Sequence, residues 1–556
     1  MAIVLGIDLG TTYSCVAYMD ENDKPVVLKN SEGDLTTPSA VWFEDQNTVT
    51  VGLAAKESAV MYPEQVVTFI KRYIGRPGFV RTINGVDMKP EDISHYILKK
   101  VVQDAEETLR REGKLGTDEH CKDVVITCPA YFGVAERDAT QRAGEIAGLN
   151  VMSIINEPTA AAISYSVTDS KQEKTVLVYD LGGGTFDVTM INIKPDEIRV
   201  ICTGGNHSLG GKDWDDRILR YAVEQYQDQT GDIDDITEDL EVLQELQLSV
   251  ERAKKLLTAK DKTPILVNYQ GKRARFELTR EKFDELTEDV LGQTIEYTRM
   301  IFKEAEKKGF KQSDVSEILL VGGSSNMPQV MRRVKAEFGI ETKMFDPHEA
   351  VAKGAAIYAS KMSDYNIVLE EVAKSQGVTV EELKDKIDSG QMDLQEAAEK
   401  ANVKVSKVRR LPGKIINVSS RSFGTEAYDG DDVLKLFNII LKNAELPATG
   451  VESFYPRDEN PKSVIFTVKE SLSSDEVIDP ELGKDIGKAE LTLPPGATRN
   501  TEIQVTFRLD NSGLLHLHAK EMKAGREVEA EFQTISSMSE EEMSAAIQRS
   551  KNSNVN

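Results

Sequence analysis

One short pattern occurs twice in this chain, and it restricts the fold more than any other feature. Gly6-Ile7-Asp8-Leu9-Gly10-Thr11-Thr12 and Tyr179-Asp180-Leu181-Gly182-Gly183-Gly184-Thr185 each close an apolar run with an aspartate and a Gly/Thr turn. Glycine lets backbone N–H groups come close to phosphate oxygens, and threonine hydroxyls add donors. An aspartate at each strand end can hold Mg²⁺ through its water shell. One Gly-rich turn would as readily be an ordinary tight turn. Two turns with matched acids suit a nucleoside triphosphate held between two similar lobes.

The surrounding sequence agrees with that reading. Runs such as Ala2 to Ile7, Val124-Val125-Ile126-Thr127 and Thr175-Val176-Leu177-Val178-Tyr179 read as strands, and Ala135 to Ile146 and Glu281 to Lys308 as helices. Their alternation predicts an α/β fold over residues 1–362. Residues 363–411 are short, charged and helical by periodicity, with helix starts at Thr379 and Asp393. A solvated spacer explains them as well as a binding module does. From residue 412 to 535 the texture is antiparallel β: Glu502 to Leu509 alternates strictly, Asp510-Asn511-Ser512-Gly513 turns, and Leu515, Leu517 and Ala519 continue, before a second turn leads into Val528, Ala530 and Phe532. Residues 536–556 hold one helix start, at Ser539.

At 556 residues the chain is too long for a single core. Its net charge of −25 repels phosphate backbones and anionic bilayers, which argues against nucleic acid and membrane as partners. A bound nucleotide must then be held by local geometry and a cation. The four cysteines, Cys15, Cys121, Cys128 and Cys202, include no CxxC pair and read as buried thiols in a reducing compartment. With no basic leader and no apolar run of spanning length, a cytoplasmic location is expected. His516 and His518 share one strand face, where an ordinary sheet surface is a better account than a metal site.

Three further residues carry chemistry only in company. Asp187 follows Thr185 closely and could orient an attacking water. Lys71 by itself would be a surface lysine, and Glu157 a helix-start acid or a base. The company is supplied by GIDLGTTYS, FIKRYIGR, CPAYF, INEPTAAAISY, VYDLGGGTFDV, ERAKKLLT and LLVGGSSNMP, in that order. Together they resemble the nucleotide-binding domain of the seventy-kilodalton heat-shock protein family, the DnaK-type chaperones. The resemblance is dense over residues 1–360, looser over 412–540, and does not cover 363–411.

The resemblance implies an actin-like two-lobed ATPase followed by a peptide-binding β-sandwich, acting as a monomer on ATP and ADP with Mg²⁺. It implies that Gly10, Thr11, Thr12 and Tyr13 contact phosphates from one lobe and Gly182, Gly183, Gly184 and Thr185 from the other. Lys71 would stabilise the transferring phosphoryl group, Asp8 and Asp180 would hold the hydrated Mg²⁺, and Asp187 and Thr185 would position water, with Glu157 linking them to the hinge. Glu251, Lys254, Lys255 and Thr258 match a helix at the nucleoside, and Gly322, Gly323, Ser324 and Asn326 the opposite wall. Pro129 and Arg137 match a switch to the partner domain, and Ile415, Ile416 and Val418 the apolar linker. Thr425, Ala427, Tyr428, Val464 and Phe466 match the pocket for extended polypeptide clients. A J-domain co-chaperone and a nucleotide-exchange factor are the implied protein partners.

The sequence departs from that family at defined places. Lys255 and Asn326 stand where two arginines flank the adenine, so weaker or less selective base binding is expected. Lys212 replaces a usual glutamate in Gly210-Gly211-Lys212-Asp213, and the stretch from Gly75 to Ser94 is short. Thr425 and Tyr428 replace aliphatic residues, which predicts a more polar, partly filled peptide pocket. Ser153 stands where an arginine recognises the J-domain, and Asn417 where the linker has aspartate. The helical lid is missing beyond residues 537–550, so faster peptide release is expected. The leading expectation is an ATP-dependent chaperone. A nucleotide-regulated scaffold with little turnover is the alternative, and a sugar-kinase-like phosphotransferase is disfavoured because the sandwich would be unexplained.

Overall fold

The computed structural model describes residues 3–168, 173–195, 197–388, 392–401, 414–510, 513–532 and 538–556. The first lobe is built on β1 (Leu5–Asp8), β2 (Tyr13–Met19), β3 (Asp123–Cys128) and β4 (Asn150–Asn156), in the order β4-β3-β1-β2. Helices α1 (Pro90–Arg111), α2 (Val134–Ile146) and α3 (Glu157–Thr168) belong to the same half. The second lobe repeats this plan with β5 (Lys174–Leu181), β6 (Phe186–Ile193), β7 (Glu197–Asn206) and β8 (Val315–Val321). In each lobe the strand that carries the aspartate pairs parallel with one neighbour and antiparallel with the other: β1 with β3 and β2, β5 with β8 and β6. The two loops therefore leave equivalent ends of two equivalent sheets. Their sheets are buried on both faces, which accounts for strands that read as continuous apolar runs.

The lobes meet over small residues. Helix α4 (Leu240–Leu256) lies in lobe two, and α5 (Ala350–Gln376) packs against α3, β1, β2 and β3. A Cβ at Gly354 would lie 1.7 Å from the Ala160 carbonyl oxygen, and one at Gly6 would lie 2.0 Å from the Ala356 nitrogen. Backbones approach this closely only because Gly6, Ala160, Ala161, Ala355 and Ala356 are small.

Two local expectations need correction. The segment Glu281 to Lys308 is two helices, Arg280–Leu286 and Glu288–Lys307, because the buried Thr287 turns its hydroxyl back to the Phe283 carbonyl oxygen at 2.7 Å and leaves the helical conformation. The first strand begins at Leu5, and Met1 and Ala2 lie outside the described residues. The boundary placed at 362/363 falls inside α5, which meets no glycine or proline between Gly354 and Gly377, where it ends in the left-handed region.

The end of α5 packs with α6 (Val380–Asp388) and α7 (Leu394–Lys400) around Val368, Leu369, Val372, Leu383, Leu394 and Ala398. Residues 363–401 thus have a small apolar core of their own, and the helix starts at Thr379 and Asp393 are capped by those side chains. The rest of that segment, 402–411, and Gly413 lie outside the described residues.

The chain then adds β9 (Lys414–Ile416) in parallel to the edge of lobe two, against β7, before entering a two-sheet sandwich. One sheet holds β10 (Ser422–Tyr428), β11 (Leu434–Ile440), β13 (Ser463–Ser471) and β14 (Gly483–Thr492), and the other β12 (Ala448–Phe454), β15 (Ile503–Leu509), β16 (Leu515–Glu521) and β17 (Glu527–Phe532). The alternation read in β15 to β17 faces one shared core, with Ile503, Val505, Phe507, Leu515, Leu517, Ala519 and Phe532 inside. Asn511 and Ser512 of the intervening turn lie outside the described residues. His516 and His518 stand on the other face beside Glu531 and Glu527, as sheet-surface residues do.

The described part of the tail packs on lobe one. Helix α8 (Glu540–Asn552) packs on α1 and α2, and β18 (Asn554–Val555) pairs in parallel with Thr48 and Val49 of lobe one. Arg549 pairs with the buried Asp92 at 2.6 Å, and Lys99 donates to the Ser550 carbonyl oxygen at 2.5 Å. Residues 536 and 537 lie outside the described residues. No helix among the described residues is long and apolar enough to cross a membrane.

Candidate functional site

The two Gly/Thr loops interlock at the mouth between the lobes. A Cβ at Gly183 would lie 1.8 Å from Thr12 Oγ1, and one at Gly184 2.3 Å from the Thr11 methyl. Only glycine lets the second loop seat on the threonines of the first. A cavity of about 170 Å³ opens beside them, lined by Asp8, Gly10, Thr11, Thr12, Tyr13, Lys71, Glu157, Asp180, Gly182, Gly183 and Thr185. Gly184 and Asp187 do not line it: Gly184 packs on Thr11, and Asp187 lies beneath the loop.

Beneath the cavity floor sits a cluster of buried charge. Lys71 reaches it from a short 3-10 turn, Ile70–Tyr73, set by Phe69 in the left-handed region (φ 57°). Its ammonium contacts Glu157 Oε1 at 2.5 Å, with the lysine side chain 4% exposed. Burial opposes the Lys71 charge, but Glu157 and Asp8 outweigh it and raise its pKa. Burial, reinforced by Glu157, pushes Asp8 up to about 7. Asp180 and Asp187 are raised well above the carboxylate range by burial and then by Glu157. Asp187 Oδ2 accepts from the Ala130 N–H at 3.2 Å, while Oδ1 and Thr12 Oγ1 are buried without a protein partner.

Four acids against one lysine form a site that fits a cation, since a divalent charge would reverse the cost of ionising Asp8 and Asp180. Among the described residues no three His, Cys, Asp or Glu side chains converge closely enough to hold a metal directly. The donor set therefore fits a cation that keeps its own waters, and Mg²⁺ with a nucleotide phosphate meets that description.

The walls come from lobe two. Glu251, Lys254, Lys255 and Thr258 lie on or just after α4, and Gly322, Gly323, Ser324 and Asn326 follow β8; all line the cavity. Glu251 ties the lobes together through Lys56 at 2.5 Å and through Tyr13, which donates to it at 3.3 Å, while Lys255 one turn along α4 pairs with it at 2.8 Å. Burial disfavours its charge, but Lys56 and Lys255 outweigh burial and lower its pKa to about 2. Arg72 makes a second bridge, to Asp213 at 2.5 Å and to the Gly184 carbonyl oxygen at 2.9 Å.

Sequence reasoning passed over two groups in the cavity. Asp215 holds Lys254 at 2.7 Å, and burial raises its pKa to about 6. His348 sits beside Asn326, 3.2 Å from its amide. Asp346-Pro347-His348 just ahead of α5 was the available signal, since a proline turn can present a side chain at a helix start. Lys212, noted for replacing a glutamate, also lines the cavity.

The sandwich positions divide. Ala427, Tyr428, Val464 and Phe466 line an open cleft of about 810 Å³ between the β10–β11 and β12–β13 turns. Thr425 does not: it is fully buried and donates to the Thr467 carbonyl oxygen at 3.1 Å. It lies within β10 on the buried side of the strand, so its position on the backbone keeps it out of the cleft. The Arg457 guanidinium stacks over Tyr428 at 4.2 Å and pairs with Asp432 at 2.8 Å.

The coupling positions meet at one joint. Ile416 and Val418 are buried, and Ile415 and Val418 pack with the core shared by the two lobes. The Asn417 amide oxygen accepts from Thr159 at 3.3 Å. Arg137 bonds the Asn156 side chain and the Phe132 carbonyl oxygen, beside Gly513 of the sandwich. Pro129 starts the same turn, its carbonyl oxygen accepting from Phe132 N–H at 3.1 Å. Ser153 lies on β4, close to Tyr358 of α5.

Two lobes of repeated topology around a glycine-lined, acid-floored cleft, with a β-sandwich docked below, define a two-domain protein of the actin-like nucleotide-binding class. The chain belongs to the Hsp70 protein family, whose model matches residues 4–80, 77–390 and 396–556. It is 34% identical to the chaperone protein DnaK of Thermosipho melanesiensis over 560 residues, covering 99% of this chain and 83% of that protein. It is 33% identical to the chaperone protein DnaK of Buchnera aphidicola over 582 residues, covering 98% and 81%.

Proposed function

We propose that this chain is a chaperone that binds ATP with Mg²⁺ in the cleft, hydrolyses it to ADP and phosphate, and uses nucleotide state to set the affinity of its sandwich for extended apolar polypeptide. The observation that carries the reading is the buried set Lys71, Glu157, Asp180 and Asp187 beneath two interlocked glycine loops. Asp8 and Asp180 would hold the hydrated Mg²⁺, which supplies charge neutralisation at the phosphates when bound. The N–H groups of Thr11, Thr12 and Gly183 orient the phosphate chain, and Gly184 seats the second loop on Thr11. Lys71 offsets charge that develops on the transferring group. Thr185, which lines the cavity, would orient the attacking water, and Asp187, behind the loop with its Oδ1 unpartnered, would take up the proton that the water releases.

The two relatives named as chaperones support the client side, as does the open cleft at Ala427, Tyr428, Val464 and Phe466. Reciprocal coupling would run through Pro129, Arg137 and the linker residues Ile415, Ile416 and Val418. Exchange of ADP would need the Lys56–Glu251 bridge to open, which is a task for a nucleotide-exchange factor. A J-domain partner would have to act without an arginine at Ser153. A slow nucleotide-regulated scaffold is favoured by one observation only, the two cross-cleft ion pairs that resist opening.

Steady-state ATPase with and without an extended apolar peptide separates these readings. Peptide-sensitive turnover that is lost in Lys71→Ala is the expected result. Tight ATP binding with no turnover would move the assignment to the scaffold.

A further inference from the structure

The joint between lobe one and the sandwich contains an arrangement that nucleotide chemistry does not require. Glu136, on α2, and Glu470, on β13, approach each other across Gly133. A Cβ at Gly133 would lie 2.7 Å from Glu470 Oε2 and 3.1 Å from Glu136 Oε2, so both carboxylates converge on the gap left by one missing side chain. Both Oε2 atoms are buried without a hydrogen-bond partner. Val134, next in the chain, packs into the sandwich core, and Ser420 donates to the Phe132 carbonyl oxygen at 3.0 Å, so the surroundings are dry and shared by both domains.

The charge around them does not balance. Arg421, ahead of β10, faces Glu470, and its Nε is itself buried and unpaired. Lys484 on β14 stands 4.0 Å from Glu470 and is partly exposed. From the lobe-one side and the cleft, Tyr131 and His207 face Glu136; burial raises the first and lowers the second, so both are neutral near pH 7. One buried guanidinium and a distant ammonium thus serve two apposed carboxylates.

We propose that Glu470, buried against Glu136 across Gly133, is protonated when the sandwich is docked, making this joint a pH-operated latch between the ATPase lobes and the sandwich. Burial first, and Glu136 second, raise the Glu470 pKa in the docked state. On undocking, the Glu470 carboxyl returns to water, away from Glu136, and its proton leaves. Docking is therefore coupled to proton uptake. It is favoured below the docked pKa and weakens as pH rises through it, by up to about tenfold in the docked-to-undocked ratio per pH unit.

The test is energy transfer in the full chain between dyes on Ile233→Cys and Leu482→Cys, both exposed, titrated from about pH 5 to about pH 8 with and without ATP. Transfer should fall as pH rises in the parent, and the dependence should flatten in Glu470→Gln and in Glu136→Gln, each near-isosteric. A parent profile already flat, or a Gln variant that keeps the parent slope, overturns the latch. The readout needs neither turnover nor peptide, so it stands apart from the fate of the chaperone assignment.

Discussion

The two clefts of this molecule are built from opposite materials. The cleft between the lobes is floored by charges fixed at strand ends and sealed beneath, with Lys71 4% exposed and Asp187 1% exposed. The sandwich cleft is about 810 Å³ of open space between turns, where Tyr428 is 47% exposed and its partner Arg457 is held from the surface. In the first, each side chain is constrained by several neighbours, so its identity dictates its geometry. In the second, membership depends on which residues of an open rim face the space, and Thr425, buried in β10, does not. Function that depends on buried charge is therefore more tightly written into this chain than function that depends on an open apolar groove.

The sharpest way to break that comparison is at Lys71. Lys71→Ala should lower single-turnover hydrolysis about 10²–10³-fold, as loss of one charge-stabilising donor does, while ATP binding persists. It also strands the buried Glu157 carboxylate, so stability should drop with it. Lys71→Ala with Glu157→Gln should recover the thermal midpoint and leave turnover low. Turnover that recovers with stability would mean that Lys71 is only a structural counter-ion.

The next effect lies at the bridge over the cleft. Glu251 is lowered from its ordinary 4.5 to about 2 by Lys56 and Lys255 against the opposing cost of burial. A depressed carboxylate stabilises the folded state fully above its unfolded pKa and loses that contribution as pH falls through the folded one. The wild-type advantage over Glu251→Gln in urea unfolding should thus be on the order of 3 kcal/mol at neutral pH and vanish between pH 4.5 and about 2. A difference that does not change with pH would show that the bridge carries no net charge stabilisation.

Legibility followed the same division. The repeated Asp–Gly/Thr turns were readable because strand, acid and glycine are local signals, and the duplicated sheets obey them. Lys71 and Glu157, distant in sequence, became readable only through resemblance, since nothing local marks a lysine in a 3-10 turn as buried. His348 and Asp215 were missed because packing, not pattern, aims them at the cavity. The seat of the tail on lobe one was equally hidden: Arg549 reads as a surface residue until Asp92 is placed beneath it. The break at Thr287 depends on a buried hydroxyl, which periodicity does not register.

Glycine positions carry the contrast to smaller effects. Gly6→Ala would force a methyl group to within 2.0 Å of the Ala356 nitrogen and 2.4 Å of the Ala355 carbonyl carbon, where backbone cannot yield cheaply. A loss of about 1–3 kcal/mol is expected. Gly430→Ala, at the rim of the sandwich cleft, meets nothing within 4 Å and should be near neutral. Thermal unfolding of the two variants side by side decides whether the nucleotide lobes are in fact the more tightly specified region.

The smallest expected effect is at the Arg457 clasp. Its guanidinium crosses from the β12–β13 turn to stack on Tyr428 at 4.2 Å and to pair with Asp432 at 2.8 Å, narrowing the entrance to the cleft. Both members of the ion pair are more than half exposed, so salt and water screen it, and the contact is worth about 0.5–1 kcal/mol. Arg457→Ala should accordingly speed association of a labelled extended apolar peptide about two- to fivefold in stopped-flow anisotropy, with ATPase in the absence of peptide unchanged. Raised salt should speed the parent toward the variant, because screening weakens the Asp432 pair while leaving the walls in place. An unchanged association rate would mean that peptide does not enter past Tyr428, and the cleft at Ala427 and Val464 would lose its claim to the client.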